Sequence, residues 1–304
     1  MNKYIYIHCT NIGETNKEQD STTEYLKIDG KSIQILDEYI AQSIISEHSD
    51  HKKWKLCYFA NTEYSVQFYV YLYSYPRDYS LKRYSNELSK GMIVDDIKTT
   101  DLNNSLFESI SKNIRGSKSL TLENYVDHTS GKYCIDGSGI VWVSEIKDDP
   151  NAQRFIYVYL LARAYEIAMQ RLIQEFAEIQ VNYKDISEED VLKLKHAYYK
   201  VCKFNILHFT NFPVKSQHNL FKKIWDDLSK HFKLAEINHE ISKQALEFKN
   251  IIEFEAIEQR NKLEKLQFEQ TNKIEKDKNS KIQRYFIILA IIPIIISIIE
   301  LTFF

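Results

Sequence analysis

Glycine and proline are scarce in this chain, with 7 Gly and 4 Pro among 304 residues, and every glycine lies at or before Gly139. Beyond that point only Pro150, Pro213 and Pro293 interrupt the sequence, so the first half can turn and the second half has little to end a helix. Cysteine is equally sparse. Cys9, Cys57, Cys134 and Cys202 stand far apart with no Cys-x-x-Cys pair, which speaks against a zinc site and reads as reduced, buried thiols. A surplus of basic charge is missing too, since the net charge is −2, and no direct nucleic-acid partner is expected. Met1 to Asn11 carries Lys3 and His8 where a secretion signal needs an apolar run.

Motifs of catalysis are also lacking. There is no His-Glu-x-x-His helix, no Gly-x-Ser-x-Gly elbow and no dinucleotide fingerprint. His48 with His51 and His196 with His208 match none of these, and Cys134 near His128 is a conceivable nucleophile pair in sequence only. The chain is not expected to be an enzyme, and the sequence names no cofactor.

What is present divides into an α/β head over 1–149 and an all-helical remainder. Lys3 to His8 alternates tyrosine and isoleucine, and Tyr25 to Ile28 precedes an Asp29-Gly30 turn, so both read as strands. Ser32 is placed to cap a helix from Ile33 to about Ser46, with Ile33, Leu36, Ile40 and Ile44 on one face. Trp54 to Ala60 and Tyr64 to Tyr75 form the best hairpin signal, around Asn61-Thr62-Glu63. Leu102 to Ile114 reads as a helix, and Lys132 to Ile135 with Ile140 to Ser144 as a second hairpin.

Over 150–215 the spacing predicts an antiparallel helix pair. Ala152 to Gln180 has a wide apolar face, and Ser187, with Asp190 three residues on, caps a second helix that Asn211-Phe212-Pro213 breaks. From about Ser216 a stalk helix over 216–284 is expected to run without interruption. Leu234, Ile237, Ile241, Ala245, Phe248 and Ile252 recur at steps of three and four, a coiled-coil-like seam that degrades at Glu255, Gln259 and Gln270. A helix of about 70 residues extends about 100 Å and needs neighbours, for which symmetric self-association is the simplest source.

In the stretch 285–304, Phe286 to Ile299 is apolar all round apart from Pro293 and Ser297, with Glu300 the one ionisable side chain after Arg284, and about 20 mostly apolar residues suffice for one transmembrane helix. Lys273, Lys276, Lys278, Lys281 and Arg284 precede it and no basic residue follows. The positive-inside rule then keeps the body cytoplasmic, as a tail-anchored, single-pass protein of the inner membrane.

This order of elements resembles the CorA family of divalent-cation channels, in which a cytoplasmic α/β head leads through a helical pair into a stalk helix that enters the bilayer. The resemblance covers the whole chain as architecture. The family's Gly-Met-Asn signature does not occur in this sequence, since Gly91-Met92 is followed by Ile93 and sits in the head, and no second membrane helix is expected between Met1 and Phe304. The resemblance implies a homo-oligomer, with a pentamer favoured, and control of ion passage. Divergent CorA-like membrane proteins that accompany antiviral systems imply a small nucleotide ligand for the head and an output on membrane integrity.

Candidate site residues follow from these readings. Glu300 would form a carboxylate ring at a pore mouth, or simply sit in the far headgroup layer. Pro293 removes a backbone hydrogen bond and Ser297 is placed to compensate a freed carbonyl, as a hinge or as an ordinary tolerated proline. Tyr69, Tyr71 and Tyr73 share one strand face with Tyr75, opposite Val66, Phe68, Val70 and Leu72; such a face stacks a nucleobase or packs beneath a helix. Arg115 and Lys118, in Asn113 to Ser119, suit a phosphate or a solvated loop after a glycine-stopped helix. Two functions compete at this level: a ligand-gated membrane effector, and a tail-anchored tether with a protein-binding head and a coiled-coil spacer.

Overall fold

Alternation of tyrosine with isoleucine puts aromatic side chains on one side of the first strand and aliphatic ones on the other, because successive residues of a strand point to opposite faces. The computed structural model describes residues 2–10, 27–28, 31–32, 35–42, 44–50, 53–60, 62–74, 87–98, 101–136, 139–179 and 186–303, of which 2, 10, 27–28, 31–32, 42, 45–50, 53, 87–88 and 296–303 as backbone only. The first strand is β1 (Asn2–Thr10), followed by the small hairpin β2 (Lys27–Ile28) and β3 (Lys31–Ser32). Then come α1 (Glu38–Gln42), β4 (Ile45–Asp50), β5 (Lys53–Tyr58), β6 (Val66–Tyr73), β7 (Glu87–Val94) and α2 (Asn104–Arg115). The strands β8 (Val126–His128), β9 (Gly131–Asp136) and β10 (Gly139–Ser144) complete the head, and α3 (Pro150–Glu178), α4 (Glu188–Leu207), α5 (Asn219–His231) and α6 (Leu234–Phe303) follow.

Eight strands make one sheet in the order β4-β5-β6-β1-β7-β10-β9-β8. Only β7 and β10 run parallel; the other neighbours are antiparallel. One face carries Ile5, Ile7, Leu56, Val66, Phe68, Val70 and Ile140, all at most 1% exposed, and each such side chain stabilises the fold by about 1.5–3 kcal/mol on burial. α3 covers this face: Tyr58 donates to the Tyr157 carbonyl at 2.8 Å, Tyr159 to Ser89 Oγ at 3.0 Å, and Phe155 packs on Trp142 and Tyr133. Tyr133 also reaches Asp227 of α5 at 2.6 Å. On the opposite face α2 packs Phe107, Ile110 and Ile114 against Tyr4, Met92, Val94, Cys134, Val141 and Val143.

The chain divides into two compact units. One comprises Met1–Gln180 with His196–Ala245, the other Val181–Lys195 with Leu246–Phe304. Within the first, α4 runs antiparallel to α3, since Lys200 pairs with Glu175 at 2.6 Å while Tyr165 donates to the His208 carbonyl at 2.5 Å. Within the second, Ser187 and Asp190 form the expected reciprocal cap: Asp190 N–H donates to Ser187 Oγ and Ser187 N–H to Asp190 Oδ2.

Three expectations change. The helix expected from Ile33 to Ser46 shrinks to the five residues of α1, and the chain from Ile45 pairs as β4 with β5. Its approach is held by backbone bonds to the 213–215 loop, with Asp37 N–H on the Pro213 carbonyl and Lys215 N–H on the Ile35 carbonyl, both at 2.9 Å. Leu36, Ile40 and Ile44 are buried as the periodicity required, but Ile33 lies outside the described residues. A further strand, β7, occupies a stretch that the sequence left without structure.

The stalk helix is not continuous from Ser216. α5 stops at His231, Phe232 N–H closes on the Leu228 carbonyl, and Lys233 turns left-handed at φ +52° before α6 begins. A left-handed lysine costs about 1–2 kcal/mol, which the burial of Leu228, Phe232 and Leu234 exceeds. Of the expected seam, Leu234, Ile241 and Ala245 are buried, and α6 then continues as one helix through Pro293 to Phe303.

Candidate functional site

The tyrosine alternation of β6 builds an aromatic ladder on the sheet face that α2 covers elsewhere. Tyr69, Tyr71 and Tyr73 lie opposite His8, Tyr6 and Tyr4 of β1 in register. The Tyr71 and Tyr73 rings are parallel with centroids 6.3 Å apart, Tyr6 meets Tyr73 edge-on at 5.9 Å, and His8 meets Tyr71 edge-on at 5.6 Å. Gln67 Nε2 donates to the Tyr69 hydroxyl at 2.8 Å. Lys55 of β5 stands beside Tyr69 in register, and Lys90 of β7 beside Tyr6. All three predicted tyrosines are half-buried. Such a face combines flat π surfaces with flanking ammonium groups, the chemistry that holds a planar, anionic ligand. At the Tyr4 end the ladder runs beneath α2, so the packing use of a tyrosine face is also present there. Tyr75 lies outside the described residues.

Arg115 and Lys118 are committed elsewhere. Asn103 caps α2 by accepting from Leu106 N–H at 3.0 Å, and Gly116 ends it at φ +72°. Just before that end, Arg115 Nη2 meets Asp136 at 2.7 Å and Nη1 donates to Ser119 Oγ at 3.1 Å, while Lys118 meets Glu108 at 2.8 Å. Ser111 Oγ donates to the Ser117 carbonyl and accepts from Leu120 N–H. The segment is thus a closed, charge-paired loop, and a phosphate would have to displace two carboxylates. Register places Asp136, Gly139, Lys90, Tyr6 and Tyr71 in one row across five strands, so Asp136, the partner of Arg115, shares a face with the ladder but stands about 14 Å from its Tyr6 and about 19 Å from its Tyr71 at the usual strand spacing.

The sequence neighbours Cys134 and His128 occupy opposite faces of the sheet. Cys134 belongs to the cluster under α2, where burial and then Asp136 push its thiol up to about 12, which disfavours the thiolate. His128 stacks on Trp142 at 4.1 Å and contacts the Val143 carbonyl at 3.1 Å, with burial lowering its pKa. His48 and His51 lie outside the set of described side chains. Among the described residues no group of three or more His, Cys, Asp or Glu is arranged to hold a metal.

In α6 the described side chains at Tyr285, Phe286, Ile288, Leu289, Ile291 and Ile295 are between 45% and 69% exposed, on every side of the helix. Pro293 is accommodated inside that helix. The side chains of Ser297 and Glu300 lie outside the described residues. Among the described residues no helix is long and apolar enough to cross a membrane.

Lys55, Lys90, Tyr6 and His8 were not singled out by sequence. A signal existed in the alternation of Tyr4, Tyr6 and His8, matching that of β6, but β7 was hidden by the turn-like Ser89-Lys90-Gly91. Comparison with protein-family models, curated proteins and solved structures finds no match to this chain.

Proposed function

We propose that this chain is a homo-oligomeric membrane protein, CorA-like in its order of elements, whose head binds a ligand or partner and thereby controls ion passage or membrane integrity. One observation carries the reading: the apolar side chains of α6 from Tyr285 onward are exposed on all sides of the helix. Water opposes such a surface at about 25 cal/mol per Å², whereas lipid and neighbouring copies accept it. The basic residues Lys273, Lys276, Lys278, Lys281 and Arg284 before it favour a cytoplasmic head at the inner membrane. The tyrosine ladder with Lys55 and Lys90 is the ligand site of this reading, and a small nucleotide is the class it fits. Ligand binding shifts the population of head arrangements, and Pro293, Ser297 and Glu300 line the membrane pathway, Glu300 as a carboxylate ring that attracts cations. An antiviral role follows from the resemblance alone.

The test is ion and dye release from liposomes carrying the full chain, with and without cyclic and linear nucleotides. Release that Tyr71→Leu abolishes and Glu300→Gln makes less cation-selective supports the proposal. Vesicles that stay tight under every nucleotide, with the protein still resisting alkaline extraction, assign the chain instead to the tether class.

A further inference from the structure

The sequence of α6 contains an 11-residue repeat that the heptad seam conceals. Segments 242–252, 253–263, 264–274 and 275–285 align without gaps. The last position holds Ile252, Leu263, Ile274 and Tyr285, and the fifth holds Leu246, Ile257 and Phe268. Glu253, Glu264 and Glu275 open the repeats, and Asn250, Asn261 and Asn272 recur at the ninth position. Eleven residues complete three turns at about 3.67 residues per turn, a period that keeps each column in a nearly straight stripe with a slight right-handed wind.

Two of these stripes are apolar and uncovered in the single chain. Leu263 and Ile274 are 60% and 68% exposed; Ile257 and Phe268 are 59% and 67% exposed. Five residues separate them along the helix, which sets the two stripes about 130° apart. A helix that pairs with one partner needs a single seam. Two seams well apart serve two different neighbours.

We propose that each α6 docks its Ile252–Leu263–Ile274 stripe on the Leu246–Ile257–Phe268 stripe of a second copy of this chain, head to tail around a closed ring of more than two parallel copies. The inference rests on the homo-oligomeric reading and specifies its interface. Shared pitch argues for a copy: contact persists over several repeats only if the partner stripe has the same 11-residue period, which another α6 has by identity. Charge supports the pairing of unlike stripes. The cations Lys249 and Arg260 lie midway between the two stripes and Glu253 and Glu264 next to the second, so at an unlike-stripe contact one copy's cations and the next copy's carboxylates come to the same side. Within one chain these residues already pair at i and i+4, Lys249 with Glu253 at 3.4 Å and Arg260 with Glu264 at 3.0 Å. An unlike-stripe contact is heterologous, and such contacts close into rings rather than twofold dimers.

Complementation tests this with the full chain in detergent micelles, by light-scattering mass, with circular dichroism to confirm a folded head. One variant carries Leu263→Lys and Ile274→Lys, the other Ile257→Lys and Phe268→Lys. Wild type is expected at the mass of more than two chains, each variant alone at one chain, and the equimolar mixture at two chains, because one intact stripe of each kind remains. If either variant alone keeps the wild-type mass, or the mixture behaves as two separate monomers, the stripe pairing is wrong while the oligomer stands. A wild type that is itself a single chain overturns both.

Discussion

Asp149 shows how much a single side chain holds in this fold. Its Oδ1 caps α3 by accepting from Asn151 N–H at 2.9 Å, and its Oδ2 accepts from Trp142 Nε1 at 3.2 Å and Ser144 Oγ at 2.9 Å. Asp149→Ala removes a cap and leaves the indole N–H and the Ser144 hydroxyl proton buried without an acceptor, although Ser144 Oγ still accepts from Ile146 N–H, an expected loss of about 2–4 kcal/mol in denaturant unfolding. Asp149→Asn should lose less, since its amide oxygen still accepts. His208 sets a pH dependence. It is 7% exposed among Phe59, Tyr64 and Phe204, its Nε2 has no hydrogen-bond partner among the described residues, and burial, aided by Lys203, lowers its pKa. The unfolded imidazole binds its proton near pH 6.5 while the folded one resists. Stability is therefore full above that pH and falls as the pH drops toward the folded pKa, by at most about 1.4 kcal/mol per pH unit for one histidine. Melting temperatures between pH 7.5 and 5.5 should show this decline, and His208→Leu should flatten it in part, because His128 is lowered in the same direction.

Among the elements, the α5–α6 junction turns on Lys233. Glycine has no Cβ to penalise its φ of +52°, so Lys233→Gly is expected to stabilise the fold by about 0.5–1 kcal/mol, and Lys233→Val to destabilise it, both read from urea midpoints. That same junction marks a limit of what the sequence discloses. A glycine after a helix announces its end, as Gly116 does for α2, whereas a lysine held left-handed by the burial of Phe232 and Leu234 announces nothing locally. Alternation made β1 and β6 legible, and hydrophobic spacing made α2 and α3 so. The segment from Ile33 to Ser46 reads as one helix because Leu36, Ile40 and Ile44 fit a helical face and are buried, yet Ile35, Leu36 and Asp37 are tied by their backbone to the distant residues 213–215. The candidate ligand face is half legible: Tyr69, Tyr71 and Tyr73 belong to one strand, but Tyr6 and His8 join them from β1 and the lysines from β5 and β7 through pairing that only the folded sheet specifies.

For the whole molecule, the division into two units carries its own expectation. The unit that holds the sheet ends at Ala245, so deleting 285–304 should leave its melting temperature within about 2 °C of the full chain while moving the protein from the membrane to the soluble fraction on ultracentrifugation. A truncated chain that still sediments with membranes would point to another attachment. The sheet itself has a consequence for how the molecule comes together. β1 lies in the middle of the sheet, between β6 and β7, although both partners follow it far along the chain. Until it is seated, the sheet exists as two separate halves, β4-β5-β6 and β7-β10-β9-β8, each with a bare edge of unpaired backbone groups. Joining them requires two long loop closures, the kind of step that slows folding, so the interval before β1 is seated is when newly made copies are most prone to stick to one another.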